Sequence, residues 1–305
     1  MPQAVYLERS PAKVNLYLNI LDRRKDGYHN LETVFQAIEL SDHITYDIQF
    51  EKGMSTELDF ALEIDSNSEE IKALADQNII AKAIELYIAN LREAVIEDLA
   101  SIIIKIFVDK NIPLEGGLAG GSSNAAATLR TLNKFFQENF AFSFSQEELL
   151  KLALELGSDV PFCLITNERS RVFATGRGEV FENKNIEFNF DQSPHLILVK
   201  PNFGISTKKA YEALKADRIH AQEIGFFNSF ESVVYDQAPT LLEIHEAMTQ
   251  ANAQQVMLSG SGSTMLAFFK DSQSAQKALD ELKAKLSNDY FMTTSSFLNI
   301  TPVYS

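Results

Sequence analysis

Between residues 12 and 21 apolar and polar positions alternate without a break. Ala12, Val14, Leu16, Leu18 and Ile20 fall on one face, and Lys13, Asn15, Tyr17 and Asn19 on the other. A period of two predicts a strand half-buried in a sheet. A charged turn over 22–27 leads to Tyr28 and His29 and to a second apolar segment over 31–40. Alternation returns at 102–108, where Ile102, Ile104, Ile106 and Val108 share a face. Helical spacing marks 78–91, through Ile80, Ile84, Tyr87 and Leu91, and a later stripe of Ala125, Leu129, Leu132 and Phe136. Ser145 and Glu148 form a Ser-x-x-Glu capping box for a helix that stops at Gly157. The second half predicts a strand at 196–200, a turn at 201–204, and helices over 208–214, 241–249 and 274–286. A further apolar strand spans 265–269. Strands and helices mixed without strict alternation predict an α+β fold. The 305 residues suffice for two domains, with the boundary expected between 165 and 195, where polar residues concentrate.

One stretch interrupts this pattern with chemistry: Pro113-Leu114-Glu115-Gly116-Gly117-Leu118-Ala119-Gly120-Gly121-Ser122-Ser123-Asn124. Four of the chain's 13 glycines lie here within six positions, between the 102–108 strand and the Ala-rich helix. Glycines let backbone approach a ligand, and a helix start offers unpaired N–H groups with partial positive charge. Strand, glycine loop and helix start in that order make an anion site, most often for phosphate. Ser122, Ser123 and Asn124 suit the helix cap. A Walker loop is excluded because Ser122 stands where its lysine belongs, and the dinucleotide pattern Gly-x-Gly-x-x-Gly cannot be laid on these positions. A second glycine run, Ser259-Gly260-Ser261-Gly262-Ser263-Thr264, precedes a strand rather than a helix, so it is no nucleophile elbow. It reads as a turn whose amides face a ligand or the first loop.

Charge narrows the partners. With 42 acidic and 27 basic residues the formal net charge is -15, which argues against nucleic acid or an anionic membrane. Phosphate affinity must therefore come from local donors. Five scattered histidines and a single cysteine, Cys163, supply no metal cluster and no internal disulfide. The first eleven residues lack an apolar signal core and no apolar run is long enough to span a bilayer, so a cytoplasmic protein is expected. Lys13 alone reads as a lysine on a solvated sheet face, and Asp159 alone as a turn residue after Gly157. Beside a phosphate loop they are also the two charges that phosphoryl transfer to a hydroxyl requires.

Five segments then fall in a recognisable order: Ser10-Pro11-Ala12-Lys13-Val14-Asn15-Leu16, Asp26-Gly27-Tyr28-His29, the 113–126 loop, Leu156-Gly157-Ser158-Asp159-Val160-Pro161-Phe162, and Ser259-Gly260-Ser261-Gly262. Together they resemble the kinase superfamily named for galactokinase, homoserine kinase, mevalonate kinase and phosphomevalonate kinase. Gly176-Arg177-Gly178-Glu179 and residues 228–234 extend the likeness over nearly the whole chain. The resemblance implies a two-domain small-molecule kinase. An ATP-binding domain of the ribosomal-protein-S5-domain-2 type would span 1–170 and a ferredoxin-like domain 171–305, with the active site in the cleft.

It implies Asp159 as general base and Lys13 as catalytic lysine. Pro113, Gly116, Gly117, Leu118, Ala119, Gly120, Gly121, Ser122 and Ser123 would hold ATP phosphates, and Asn78 and Lys110 would lie near the adenine. Asn15, Tyr28 and His29 would hold the acceptor, with Tyr211 as a second aromatic wall for its base. Mg2+ accompanies ATP in the family; its ligands are unassigned, with Ser123 a candidate. The implied acceptor is a small molecule with a nucleotide diphosphate group, 4-diphosphocytidyl-2-C-methyl-D-erythritol, phosphorylated on its 2-hydroxyl in non-mevalonate isoprenoid precursor synthesis. Glu115, Ser263 and the polar stretch 166–171 depart from the family pattern. They leave open the same chemistry on another small alcohol, and a nucleotide-binding sensor without turnover is the alternative of a different class. Oligomeric state is not readable.

Overall fold

The structure, a computed structural model, describes residues 1–53, 58–74, 77–93, 99–184, 186, 188, 194–214 and 223–299. The chain runs through β1 (Gln3–Arg23), β2 (His29–Lys52), β3 (Asp59–Ser66), α1 (Glu69–Ala73), α2 (Ile79–Glu93), β4 (Leu99–Asp109) and α3 (Gly120–Phe140). Next come α4 (Gln146–Leu156), α5 (Val160–Leu164), β5 (Arg171–Thr175), β6 (Val180–Glu182), β7 (His195–Lys200) and α6 (Thr207–Ala213). It ends with β8 (Phe227–Asn228), α7 (Glu231–Gln237), α8 (Pro239–Gln250), β9 (Gln255–Leu258), β10 (Met265–Phe269), α9 (Ser272–Lys285) and β11 (Phe291–Ser296).

Residues Met1–Pro11, Ser41–Ile112 and Gly120–Leu164 form one compact unit. Here β2 pairs antiparallel with β4, from His43 opposite Asp109, and β4 pairs parallel with β3, from Asp59 opposite Ser101. Parallel β3 and β4 need a crossover, which α1 and α2 supply. The stripe expected on β4 is buried through Ile102, Ile104, Ile106 and Val108, while Phe107 on the other face is exposed. Ala125, Leu129, Leu132 and Phe136 of α3 are fully buried, and α3 meets β2 through Tyr46 against Thr128 (3.0 Å) and Phe50 edge-on to Phe135.

Residues Ala12–Leu40, Pro113–Ala119 and Ile165–Ser305 form the other unit, within the described residues. Its four-stranded antiparallel sheet has the order β11-β7-β10-β9. Strand, helices, two strands, helix and strand with that order is the ferredoxin-like arrangement. Ile197, Val199, Met265 and Ala267 bury one face against Ile244 and Met248 of α8 and Ala278 and Leu282 of α9. In the same unit β5 pairs with β2, Thr33 opposite Ala174, and β8 pairs parallel with β1, Leu18 opposite Asn228.

Three expectations are corrected. The first strand begins at Gln3, not near Ala12, because its outer stretch leaves Val5 and Leu7 exposed and so carries little apolar contrast. The second continues to Lys52 through buried Asp42, a polar residue that broke the apolar run. Helix α3 starts at Gly120, so Ser122, Ser123 and Asn124 belong to its first turn rather than its cap.

The capping box of α4 is present in full: the Ser145 hydroxyl accepts from Glu148 N, and the Glu148 carboxylate accepts from Ser145 N at 2.8 Å. Ser145→Ala is expected to lower stability by about 1 kcal/mol, read as a reduced midpoint in thermal or urea unfolding.

Candidate active site

The polar face of β1 is not solvated. Lys13 is only 4% exposed; its ammonium donates to Asn15 Oδ1 at 2.8 Å and lies 5.2 Å from the centroid of the Phe35 ring. Asn15 passes its own donor to Thr33 Oγ1 (2.8 Å), and Thr33 donates to Tyr17 O (2.7 Å). A buried ammonium is tolerated only with partners of this kind. The relay fixes the direction of Lys13 from β2 and makes Thr33 a site residue that sequence reading missed.

The two glycine runs meet within this same unit. At Gly117, φ is 73°, and a Cβ there would run into the Ser259 carbonyl and reach 3.1 Å from Gly262 O. Ser259 Oγ donates to Gly117 O (3.1 Å), Thr264 N donates to Gly116 O (3.2 Å), and Lys13 N donates to Leu118 O (3.0 Å). The second turn therefore faces the first loop, one of the two readings its sequence allowed. Glu115 and Ala119 are held at φ 51° and 54°, left-handed for residues other than glycine. Such backbone persists where surrounding contacts over-determine it, commonly at functional sites.

Both glycine-run departures from the family pattern engage the 201–204 turn. Glu115 lies over Gly204, where an added Cβ would sit 2.7 Å from its own Cβ, and Ser263 Oγ donates to Phe203 O at 2.5 Å. Lys200 Nζ donates to Pro201 O (2.9 Å) and Phe203 O (3.2 Å). Burial pushes its ammonium pKa down, and the Glu115 charge opposes that shift.

In the other unit, the segment entering α3 is braced by a buried ion pair. Asp42 Oδ2 meets Lys110 Nζ at 2.8 Å, and Asp42 Oδ1 accepts from Asn111 N and Ile112 N, each at 2.8 Å. Lys110 also donates to Ile112 O, and burial lowers its pKa against the pull of Asp42. A Cβ on Gly120 would come within 3.1 Å of Lys110 Nζ, so the glycine lets the helix start close on this pair. The Lys110 ammonium is thus engaged in shaping the loop exit. Asp42 carried no motif and went unnoticed in the sequence.

The first turn of α3 holds Ser123, fully buried, whose hydroxyl has no hydrogen-bond partner. Next to it, Asn124 Oδ1 accepts from Ser10 Oγ at 2.7 Å. Asn78 starts α2 by accepting from Ile80 N (3.0 Å), and its buried Nδ2 is unpartnered. Free N–H groups at a helix start, with an orphan hydroxyl and an orphan amide in the same unit, suit phosphate, its metal and a nucleobase. Among the described residues no group of three or more His, Cys, Asp or Glu could hold a metal by itself. A metal would have to arrive with phosphate oxygens.

Asp159 is half-buried in the turn before α5, and its carbonyl accepts from Cys163 N at 3.1 Å. The far end of α5 is held by Arg130, which donates to Cys163 O (2.8 Å) and Leu164 O (3.3 Å) while pairing with Glu8 (2.8 Å). Arg130 is a third missed residue; its place on α3, off the apolar stripe, gave no sign that it reaches a helix C-terminus.

In the unit of Lys13, Tyr28 is 53% exposed with the Arg177 guanidinium 4.7 Å from its ring centroid. His29 stacks on Tyr211 with centroids 4.8 Å apart and planes at 15°. Burial and Arg23 together lower the His29 pKa, opposed by Asp22, so the imidazole is neutral at pH 7. The aromatic stack shown here is His29 on Tyr211, and Arg177 covers Tyr28.

Residues 78–167 match the model of the GHMP kinases N terminal domain, and residues 210–288 that of the GHMP kinases C terminal domain. A protein of Enterococcus faecalis named 4-diphosphocytidyl-2-C-methyl-D-erythritol kinase is 31% identical over 94% of this chain and 98% of its own. One of the same name from Clostridium tetani is 33% identical over 93% of this chain and 98% of its own. The crystal structure of a 4-(cytidine 5'-diphospho)-2C-methyl-D-erythritol kinase superposes with a TM-score of 0.71 at 25% identity, over 95% of this chain and 99% of that one.

Lys110→Met would leave Asp42 charged, buried and without its cation. Removing one partner of such a pair costs about 3 kcal/mol. Denaturant unfolding should show that loss, and Asp42→Asn combined with Lys110→Met should recover part of it.

Proposed function

The chain belongs to the GHMP kinases, ATP-dependent kinases of small molecules, and on that premise we propose that it phosphorylates the 2-hydroxyl of 4-diphosphocytidyl-2-C-methyl-D-erythritol. The observation that carries this reading is the likeness to proteins named for that activity over more than nine-tenths of the chain. In this reading the N-terminal domain spans 1–170 and the C-terminal domain 171–305, and the protein acts in the cytoplasm, where ATP is supplied, in non-mevalonate isoprenoid precursor synthesis.

The roles follow from chemistry. The acceptor oxygen attacks the γ-phosphorus, the bond to the β–γ bridging oxygen breaks, and its electron pair leaves with ADP. Asp159 takes the hydroxyl proton. Lys13, fixed by Asn15 and backed by Phe35, stabilises the alkoxide character that develops. The backbone of Gly116, Gly117, Leu118, Ala119, Gly120, Gly121 and Ser122, preceded by Pro113, cradles the phosphates. Asn78 offers its unpartnered amide to the adenine, and Lys110 serves the same end by bracing the loop exit. Magnesium neutralises charge on the β- and γ-phosphates when bound. Ser123, with its orphan hydroxyl, is the side chain that fits its shell.

Asn15, Tyr28, His29 and Tyr211 hold the acceptor. A cytosine ring has the flatness and size to stack on Tyr211 in place of the neutral imidazole of His29. Arg171, which ends the altered 166–171 stretch, lies away from the residues assigned to the acceptor. Arg171 pairs opposite Gln36 and donates to it at 2.7 Å. It therefore shares the face of β2 opposite to Thr33 and Phe35, which meet Asn15 and Lys13.

ADP release with Mg-ATP should require 4-diphosphocytidyl-2-C-methyl-D-erythritol and rise with its concentration. Asp159→Asn should lower kcat about a thousandfold with ADP affinity kept within about threefold. Full turnover in that variant removes Asp159 from the base role. ADP binding with no turnover on this alcohol removes the acceptor.

A further inference from the structure

Asn228 is buried at the end of β8, and its amide is used in three directions. Nδ2 donates to Leu258 O and to Gly260 O, each at 2.8 Å, and Oδ1 accepts from Phe230 N at 2.9 Å. Glu231 completes the grip by accepting from Leu258 N at 2.7 Å. The peptide groups that lead into the second glycine turn are thus held on both sides by residues of one short segment. That segment is itself fixed to β1. Leu18 pairs opposite Asn228, Ser229 N donates to Leu18 O (2.9 Å), and Ile20 N donates to Ser229 Oγ (3.0 Å).

On its other side the same turn carries the first glycine loop. Ser259 Oγ donates to Gly117 O, and a Cβ on Gly260 would lie 3.2 Å from that oxygen and 3.6 Å from Asn15 Oδ1. One amide therefore links the strand bearing Lys13 and Asn15 to the turn that supports Gly117. Two carbonyls reached from one point need two N–H donors on one atom, which a neutral primary amide supplies and a carboxylate or hydroxyl cannot.

We propose that Asn228 is a positioning residue of the nucleotide site, holding the turn over 259–262 where Gly117 docks on it. The inference rests on the reading that residues 116–123 hold the ATP phosphates. Asn228 touches neither nucleotide nor acceptor; it acts through the turn, so its loss weakens nucleotide binding while leaving acceptor recognition alone.

The test is Asn228→Asp, which keeps the shape and removes both donors. When ionised, the new carboxylate faces two carbonyl oxygens, with Glu231 nearby as the other acidic group; when protonated, it returns one donor. Calorimetry with ADP should show binding weaker by tenfold or more at pH 8, with the deficit shrinking as pH falls to 6. KM for the acceptor alcohol should stay within about twofold of the unaltered chain. Wild-type ADP affinity in the variant overturns the inference. So does a parallel loss of ADP and acceptor binding with a fallen thermal midpoint, or failure to fold, since each makes Asn228 structural. An unaltered chain that binds no ADP overturns the reading of the loop itself, a different result.

Discussion

At Gly117 there is no room for a side chain: a Cβ would strike the Ser259 carbonyl, and φ at 73° already favours glycine. Two loops separated by 142 positions are pressed together there, backbone to backbone, without bulky side chains to absorb error. Everything assigned to the phosphate loop depends on this contact. Lys13 N reaches Leu118 O and Thr264 N reaches Gly116 O only while the loop lies against the turn. The strain at Glu115 and Ala119 is sustained by the same set of bonds.

The second constraint is charge. A chain with net charge -15 repels a nucleotide at long range, so affinity has to be built from short-range, oriented donors. The structure spends its cations accordingly. Lys200 and Lys110 are committed to carbonyls and to Asp42, where they stiffen backbone next to glycines. Lys13 is the lysine set on a buried polar relay, its ammonium donating to the Asn15 amide oxygen. A buried ammonium held in a fixed direction is the kind of donor that a developing alkoxide calls for.

Much of this was legible in the chain. Regular alternation marked β4, a continuous apolar run marked β10, and Ser145 with Glu148 marked α4 down to the hydrogen bonds of its capping box. The glycine spacing marked a loop where local conformation and local chemistry coincide, which is why a role could be proposed for it from sequence. Residues whose roles are set by distant partners were not legible. Asp42 looked like a break in an apolar run, yet it braces Lys110, 68 positions away. Thr33 and Arg130 sit in unremarkable local sequence, and their partners lie 18 and 33 positions off; Asn228 fell in a stretch that resembles the family, but its partner 30 positions away was not readable. Periodicity reports which face of an element is buried, but not which polar group will be found there. The start of α3 at Gly120 was missed for a related reason: glycine propensity argues against helix, and tertiary contacts with Ile112 and Lys110 override it.

The central claim is that the 116–123 loop binds nucleotide phosphates in a shape imposed by its docking on the Ser259 turn. Calorimetric titration of ADP into Gly117→Ala tests it most directly, with Gly53→Ala as control, since among the described residues a Cβ there meets only Ala100, at an ordinary 3.4 Å. The account predicts that Gly117→Ala weakens ADP binding at least tenfold in a protein that still unfolds cooperatively, while the control binds normally. Equal affinity in the two variants would contradict it.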